Sequence, residues 1–385
     1  MTKPSLNSHR DAILTTLGLS ASSPPSRETI AASLRQWEAQ LFEDAVIESG
    51  GCAFKVRSFA EWDAHPHGVH TVNLPPLSLY KTGEALARPL SEIRQEDLPL
   101  KGLRVLDLTR VIAGPVCGRT LAAHGADVIW ITSPNLPDLP AIDIDTSRGK
   151  RTVQLDLNDE ADTITFRNLL KDADVLLQSY RPGSLARRGF GPDALAQEYP
   201  GLITVSLSAF GLDGPWGGRR GNLFQFDSLV QAATGFNVAE AEAYHSIYPQ
   251  DTLLPLRPLP CQVLDHAAGH FLAFGINAAL GRRIKEGGNW HVEVSLLGTA
   301  NWLRSLGRIE PYEAFNGRSM LKEIPIRDIT FMRELESLLI DVPSEKDDAP
   351  KLRALRHAAI MSVTPVRIGF SPGGLNAHQA EWLPA

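Results

Sequence analysis

The segment "LKGLRVLDLTRVIAGPVCGRTLAAHGADVIWIT", Leu100 to Thr132, decides the fold. Arg104 to Leu108 is a short run rich in leucine and valine, the composition of a buried strand. "AGP" follows, and Pro115 suits the first turn of a helix, where its missing N–H would have no partner anyway. Small residues carry the helical pattern through Ala123, and "ADVIWIT" reads as a second buried strand. Further on, "KRTVQLDL" (150–157) is a third strand with a helical pattern from Asp159 to Leu170 behind it; "ADVLLQSY" (173–180) and "LITVSLSAF" (202–210) are a fourth and a fifth. Apolar strands alternating with helices in this way predict an α/β fold with a doubly wound, largely parallel sheet.

Such sheets bind ligands outside the carboxyl ends of their strands. Three loops occupy those ends: "TRVIAGP" (109–115), "SYRPGSLARRGFG" (179–191) and "SAFGLDGPWGGRRGN" (208–222). The first hundred residues differ in character. "SSPPS" breaks the chain before an amphipathic helix expected from Arg27 to Glu48, ended by "GG". A strand "AFKVR" (53–57), a short helix "SFAEWDAH" (58–65) and an extended connection from Asn73 to Leu98 follow. The expected division is a smaller segment over 1–98 and a large sheet domain over 99–385.

Bulk properties set limits on function. At 385 residues the chain exceeds the usual single-domain size, so two packed units, or one large domain with a smaller satellite, are expected. A net charge of -6 offers no bulk attraction to nucleic acid, and an anionic ligand would need a local basic pocket. The longest apolar runs, such as Phe271 to Leu280, fall well short of the roughly 20 residues a membrane span needs. A polar start, "MTKPSLNSHR", and an end, "EWLPA", that is no targeting address lead to the expectation of a cytoplasmic protein. Cys52, Cys117 and Cys261 lie far apart, which speaks against a disulfide framework and a cysteine metal site.

"CQVLDHAAGHFLAFGINAALGRR" (261–283) is plainly helical after Asp265. Asp is a favoured N-cap, so Asp265 is either the polar cap of this helix or a group that does chemistry. Ala267, Ala268 and Gly269 leave the first turn nearly bare, and a helical Gly costs about 1 kcal/mol relative to Ala, so something is expected to approach closely. His266 and His270 are one turn apart but lack a third ligand at metal-site spacing, and "HPHGVH" (65–70) reads as a solvated turn; no metal site is expected. "RGKR" (148–151) and the cluster Arg181, Arg187 and Arg188 are either phosphate anchors or solvated faces. The glycine-rich dinucleotide and P-loop motifs and the "GxSxG" elbow are absent, so covalent chemistry would rest on a carboxylate.

These blocks resemble the family III CoA-transferases, with formyl-CoA and carnitine CoA-transferases and the homologous α-methylacyl-CoA racemases. The blocks are the opening segment, "RGKRTVQLDL", "ADVLLQSYRPGSLARRGFG", "LITVSLSAFGLDGP", "QFDSLVQAATG" and "VLDHAAGHFLAFGINAAL", in family order from Leu100 to about Leu306. The resemblance implies a Rossmann-like sheet domain plus a smaller α+β domain, in interlocked dimers. It implies a transferase moving CoA between carboxylic acids, with Asp265 as the nucleophile that carries an aspartyl-CoA thioester. CoA or acyl-CoA is then a substrate, and no cofactor is bound permanently. Carried over by position, CoA contacts fall on Val111, Ile112 and Ala113, on Leu155 to Asn158, on Ser179, Tyr180, Arg181 and Arg187, and on Leu223 to Phe226, including Gln225. A family Arg after the second strand falls on Ser133, where Arg148 or Lys150 is the expected substitute.

The racemase branch is expected to carry His before Asp, where this chain reads "QFD" (225–227); Phe226 cannot move a proton, which favours transfer. A catalytically silent CoA-binding subunit is the other alternative. The family's small domain normally follows the helix after the Asp. Here residues 28–68 resemble that domain's end and "HAAIMSVTPVRIGFSPGGLNAHQAEWL" (357–383) its tail. The layout resembles a rearranged chain or half of a tandem relative, paired with a second copy or a complementary chain.

Overall fold

The computed structural model describes residues 7–23, 25–88, 97–217, 226–249, 256–315, 333, 336–344, 352–359, 361–364, 366 and 369–384. Seven strands form the central sheet: β1 Leu77–Gly83, β2 Arg104–Leu108, β3 Asp127–Thr132, β4 Arg151–Gln154, β5 Val175–Gln178, β6 Ile203–Ser208 and β7 Asn289–Ser295. Their spatial order is β1-β7-β6-β5-β2-β3-β4, all parallel except β1, which pairs antiparallel with β7. The strand order reverses at β2, where chain segments leading to β3 and to β5 part, so β2 and β5 flank the crevice of a doubly wound sheet.

Successive residues of β2 face opposite layers, as the two-residue period of a strand requires. Val105 joins the core of the helices Ala113–Ala123 and Val263–Glu286, through Cys117, Leu121, Leu264, Leu272 and Ile276. Leu106 joins the other core, with Ile129, Val153, Phe166, Leu169 and Leu195, under the helices Glu160–Lys171 and Pro192–Glu198. Both faces are buried, which is why these strands read as continuous apolar runs.

The helix Val263–Glu286, called the long helix below, crosses the first face at close range. A Cβ on Gly269 would stand 2.6 Å from Ala113 O and 2.7 Å from Val116 Cγ1; one on Gly275 would stand 2.6 Å from both Leu77 Cδ1 and Val292 Cγ1. The close approach expected at Gly269 is therefore made by the neighbouring helix.

Several sequence expectations change. The helix expected over Arg27 to Glu48 is two helices, Arg27–Leu34 and Ala39–Glu48, because Glu38 turns its side chain onto the Leu41 N–H and starts the second. "AFKVR" has no strand partner: Lys55 N–H is held by Glu43, and Arg57 N–H by Ala232 O. The helix at Phe59–Ala64 forms as expected, with Ser58 and Glu61 as a capping box. "HPHGVH" is a helical turn, Pro66–His70, and not a solvated one: His67 is fully buried between Phe210 O and Trp216 N–H. β1, inside the expected connection, and β7 were not anticipated.

The N-terminal segment docks on its own chain. Phe54 and Trp62 pack against Phe210 and Trp216, and the buried pair Arg57–Glu43 braces the contact. A two-stranded antiparallel sheet, β8 Leu339–Val342 with β9 Leu352–Leu355, precedes the tail. Among the described residues no helix is long and apolar enough to cross a membrane.

Candidate active site

Two non-glycine residues in the left-handed region, Cys261 (φ 59°) and Gln262 (φ 51°), lead into the long helix. Such conformations cost free energy and persist where the surroundings fix them. Gln262 provides no side-chain cap. The cap comes from Asp227, the first residue of the helix Asp227–Thr234: its Oδ2 accepts the N–H groups of Leu264 at 2.7 Å and Asp265 at 3.0 Å. Gln231, one turn on, donates to Asp227 Oδ1, and its own Oε1 accepts the Leu259 N–H at 2.8 Å.

Asp265 is thus not the cap but the third residue of the helix. It is 4% exposed, and among the described residues its carboxyl has no hydrogen-bond partner. Burial first, and then the charge of Asp227, push its pKa up to about 8, so at neutral pH it keeps its proton.

The turn after β2 meets the long helix one turn beyond Asp265, at the contact of Ala113 and Val116 with Gly269. Val111 there has φ 73°, an outlier for a β-branched residue, and no side chain caps the helix that starts at Ala113. Below this turn lies a fully buried ion pair, Lys150 Nζ to Asp107 Oδ2 at 2.7 Å, with Thr109 on the other carboxylate oxygen. Gly118 leaves the space for it, since a Cβ would stand 2.2 Å from Asp107 Oδ2.

Beyond β5, Tyr180 is anchored by its N–H on Gln178 Oε1 and packs on the same core as Leu155. Arg188 bonds the side chain of Asn158 at 2.7 Å, which ties the loop after β4 to the loop after β5. Tyr180, Leu155 and Asn158 are therefore brought together beyond the carboxyl ends of β4 and β5, with Ser179 next to Tyr180 in the chain. Tyr180 and Arg181 line a cavity of about 150 Å³ that runs beneath the loop onto His291 and Glu293; Asp265 does not line it. Burial lowers the Arg181 pKa, and the Cys52 thiol lies near enough to oppose that, so the N-terminal segment covers this side. Arg187 is exposed, and among the described residues its guanidinium makes no hydrogen bond or ion pair.

The remaining candidates divide. Phe226 immediately precedes the capping Asp227. Leu223 and Gln225 lie outside the described residues. The "RGKR" cluster is structural: Arg148 pairs with Asp145, Lys150 with Asp107, and Arg151 with Asp127 in a two-pronged contact. Neither Arg148 nor Lys150 is therefore free to replace an arginine at Ser133. Ser133 instead shares a small cavity with Val111 and Arg110, which sequence reasoning passed over although it stands in the "TRVIAGP" loop. Arg110 donates to Pro137 O. His266 and His270 face Arg119, which with burial holds both pKa values down, and among the described residues no three His, Cys, Asp or Glu are grouped to hold a metal.

Comparison with known proteins bears on the family and the fold. The family model described as CoA-transferase family III matches residues 100–308, just over half of the chain. An acyl-CoA transferase of Gibberella moniliformis is 34% identical over 278 residues, 70% of this chain and 47% of the relative. The succinyl-CoA–L-malate CoA-transferase β subunit of Chloroflexus aurantiacus is 32% identical over 211 residues, 52% of this chain and 49% of the relative. The chain thus spans about half the length of these curated relatives. A crystal structure of Rv3272 from Mycobacterium tuberculosis superposes with a TM-score of 0.58 at 23% identity, covering 75% of this chain and all of that one, a likeness of fold. On its sequence blocks and its matched family model, this chain belongs to CoA-transferase family III.

Proposed function

We propose that the chain moves CoA between an acyl-CoA donor and a carboxylic acid acceptor, with the Asp265 carboxylate as nucleophile. Ionised Asp265 attacks the thioester carbonyl; the C–S bond breaks, leaving a mixed anhydride and CoA thiolate. The thiolate attacks the aspartyl carbonyl, giving an aspartyl-CoA thioester and releasing the donor's acid. An acceptor carboxylate attacks that thioester to form a second anhydride, whose acyl carbonyl the thiolate then takes, and Asp265 returns as carboxylate. Covalent catalysis of this kind divides one difficult exchange into easier steps. The uncapped N-terminus of the helix Ala113–Ala123 presents N–H groups suited to developing oxyanions.

The observation that carries this reading is a buried carboxyl in the first turn of a helix whose capping is done by another residue, leaving Asp265 free to react. CoA would lie across the switch point, touching Val111, Ile112, Ala113, Leu155, Asn158, Ser179, Tyr180 and Phe226, with Gln225 beside them. Arg187, whose guanidinium has no partner among the described residues, and Arg181 would hold its phosphates. CoA is substrate, and no resident cofactor is required. The proposed partner is a second copy or a complementary chain; the Chloroflexus aurantiacus relative is named as a β subunit.

The test is mass spectrometry of the chain incubated with a panel of acyl-CoAs and trapped with hydroxylamine. A hydroxamate located on Asp265, lost in Asp265→Ala while CoA binding survives, is expected. Exchange retained in Asp265→Ala removes the proposed nucleophile.

A further inference from the structure

We infer that Asp227, with Gln231 behind it, is a positioning residue that fixes the Asp265 carboxyl and sets the pH at which it becomes a nucleophile. The inference rests on Asp265 being the nucleophile. Asp227 is fully buried, and both of its carboxylate oxygens are used: Oδ2 bridges two backbone N–H groups of the long helix and Oδ1 takes the Gln231 amide. It stands where two helices begin, its own and the long one, and both helix dipoles favour negative charge there.

Asp265, next to it, has no such donors among the described residues. Of two coupled carboxyls, the one with three donors gives up its proton first, and its charge then opposes ionisation of the other. Burial raises the pKa of Asp227 and the three donors oppose that, whereas for Asp265 burial and Asp227 act in the same direction. The other charged neighbour described for the pair is His266, which faces Asp227, Arg119 and Asp145.

Gln231 extends the grip. By holding the Leu259 N–H it fixes the chain before the left-handed residues Cys261 and Gln262, while Asp227 fixes the chain after them. A strained entry pinned at both ends places the Asp265 side chain in one orientation.

Charge and cap can be separated. Asp227→Asn retains an oxygen for the two N–H groups, since Asn caps as well as Asp, but removes the charge; Asp227→Ala removes both. The full chain, carbon-13 labelled at aspartate carboxyls, is titrated by NMR, with the Asp265 resonance assigned by its loss in Asp265→Asn. In Asp227→Asn the Asp265 midpoint should fall by about one pH unit, a tenfold gain in the ratio of ionised to protonated carboxyl and about a five-fold gain in ionised fraction at pH 7, with circular dichroism unchanged. The rising limb of the exchange rate against pH should move down by the same interval. An unmoved midpoint in Asp227→Asn overturns the inference and leaves Asp227 a structural cap. Wild-type exchange with an unmoved pH limb in a folded Asp227→Ala overturns it too. The NMR titration needs no turnover, so a shifted midpoint in a chain that forms no Asp265 hydroxamate supports the coupling and sinks the transferase reading separately.

Discussion

A carboxyl held at 4% exposure, with no hydrogen-bond partner among the described residues, works against folding whenever it ionises. Because the Asp265 pKa is raised to about 8 in the folded chain, against about 4 in an unfolded one, the native state binds the extra proton between those values. Stability from this group is therefore intact below about pH 4 and lost as pH rises through about 8. Asp265→Asn should be more stable than wild type, the gap widening between pH 5 and pH 8 by up to about 1.4 kcal/mol per pH unit. Urea unfolding at several pH values checks this, and parallel curves for the two chains would refute it. Asp265 was legible in the sequence because it opens an evident helix, but its environment was not. The cap that frees it lies 38 residues upstream, and the carboxylate that claims Lys150 lies 43 residues away. A basic run such as "RGKR" looks the same whether its charges meet solvent or buried partners. Lys150, expected with Arg148 as a substitute for an arginine at Ser133, was removed from the phosphate ligands only by its three-dimensional neighbour Asp107.

At the scale of elements, two of the three glycines in the long helix stand in opposite circumstances. A Cβ at Gly269 would collide with Ala113 O, whereas one at Gly281 would meet nothing within 4 Å. Helix propensity alone favours Ala over Gly by about 1 kcal/mol at either position. Gly281→Ala should therefore stabilise the chain by about 0.5–1 kcal/mol, while Gly269→Ala should destabilise it by about 1–3 kcal/mol through overpacking and separate the helix from Val111–Ala113. Denaturant midpoints for the two variants decide the matter; similar shifts in both would mean that the helix contact yields freely. The five strands read from the sequence have largely buried residues, and in β2, β3, β5 and β6 that burial writes a mostly apolar run. β7 escaped because it alternates instead: Trp290, Val292 and Val294 face the long-helix core, while His291 and Glu293 line the cavity behind the sheet. That period of two was the available signal. The helix over Arg27 to Glu48 divided for a local reason, a glutamate acting as cap, that amphipathic spacing does not register.

Across the whole molecule, the chain ends close over the sheet from both sides. β4 is an edge strand, and open edges invite pairing with other chains. The tail covers this one: Thr152 N–H donates to His378 Nδ1 and Gln154 N–H to Asn376 Oδ1, both at 3.0 Å, while His378 N–H donates to Thr152 O and the Trp382 indole to Leu169 O. Nearer the candidate site, His357 packs against His124 and His270, with ring centroids 5.1 and 6.3 Å away. Burial first, then the charges of His124, His270, Arg119 and Arg148, lower its pKa to about 4. A docked histidine that resists protonation loses its contact in acid: docking should be complete above about pH 6.5, the ordinary histidine value, and weaken progressively as pH falls toward about 4. Hydrogen exchange over residues 352–359, corrected for intrinsic rates, should show protection falling several-fold between pH 7 and pH 5. His357→Gln should flatten that dependence while the Thr152 and Gln154 amides stay protected. Equal pH dependence in wild type and His357→Gln would place the sensitivity elsewhere in the cationic cluster. Because His270 stands on the helix that carries Asp265, loosening the segment in acid and protonating the proposed nucleophile would act in the same direction, confining the proposed exchange to neutral and alkaline solution.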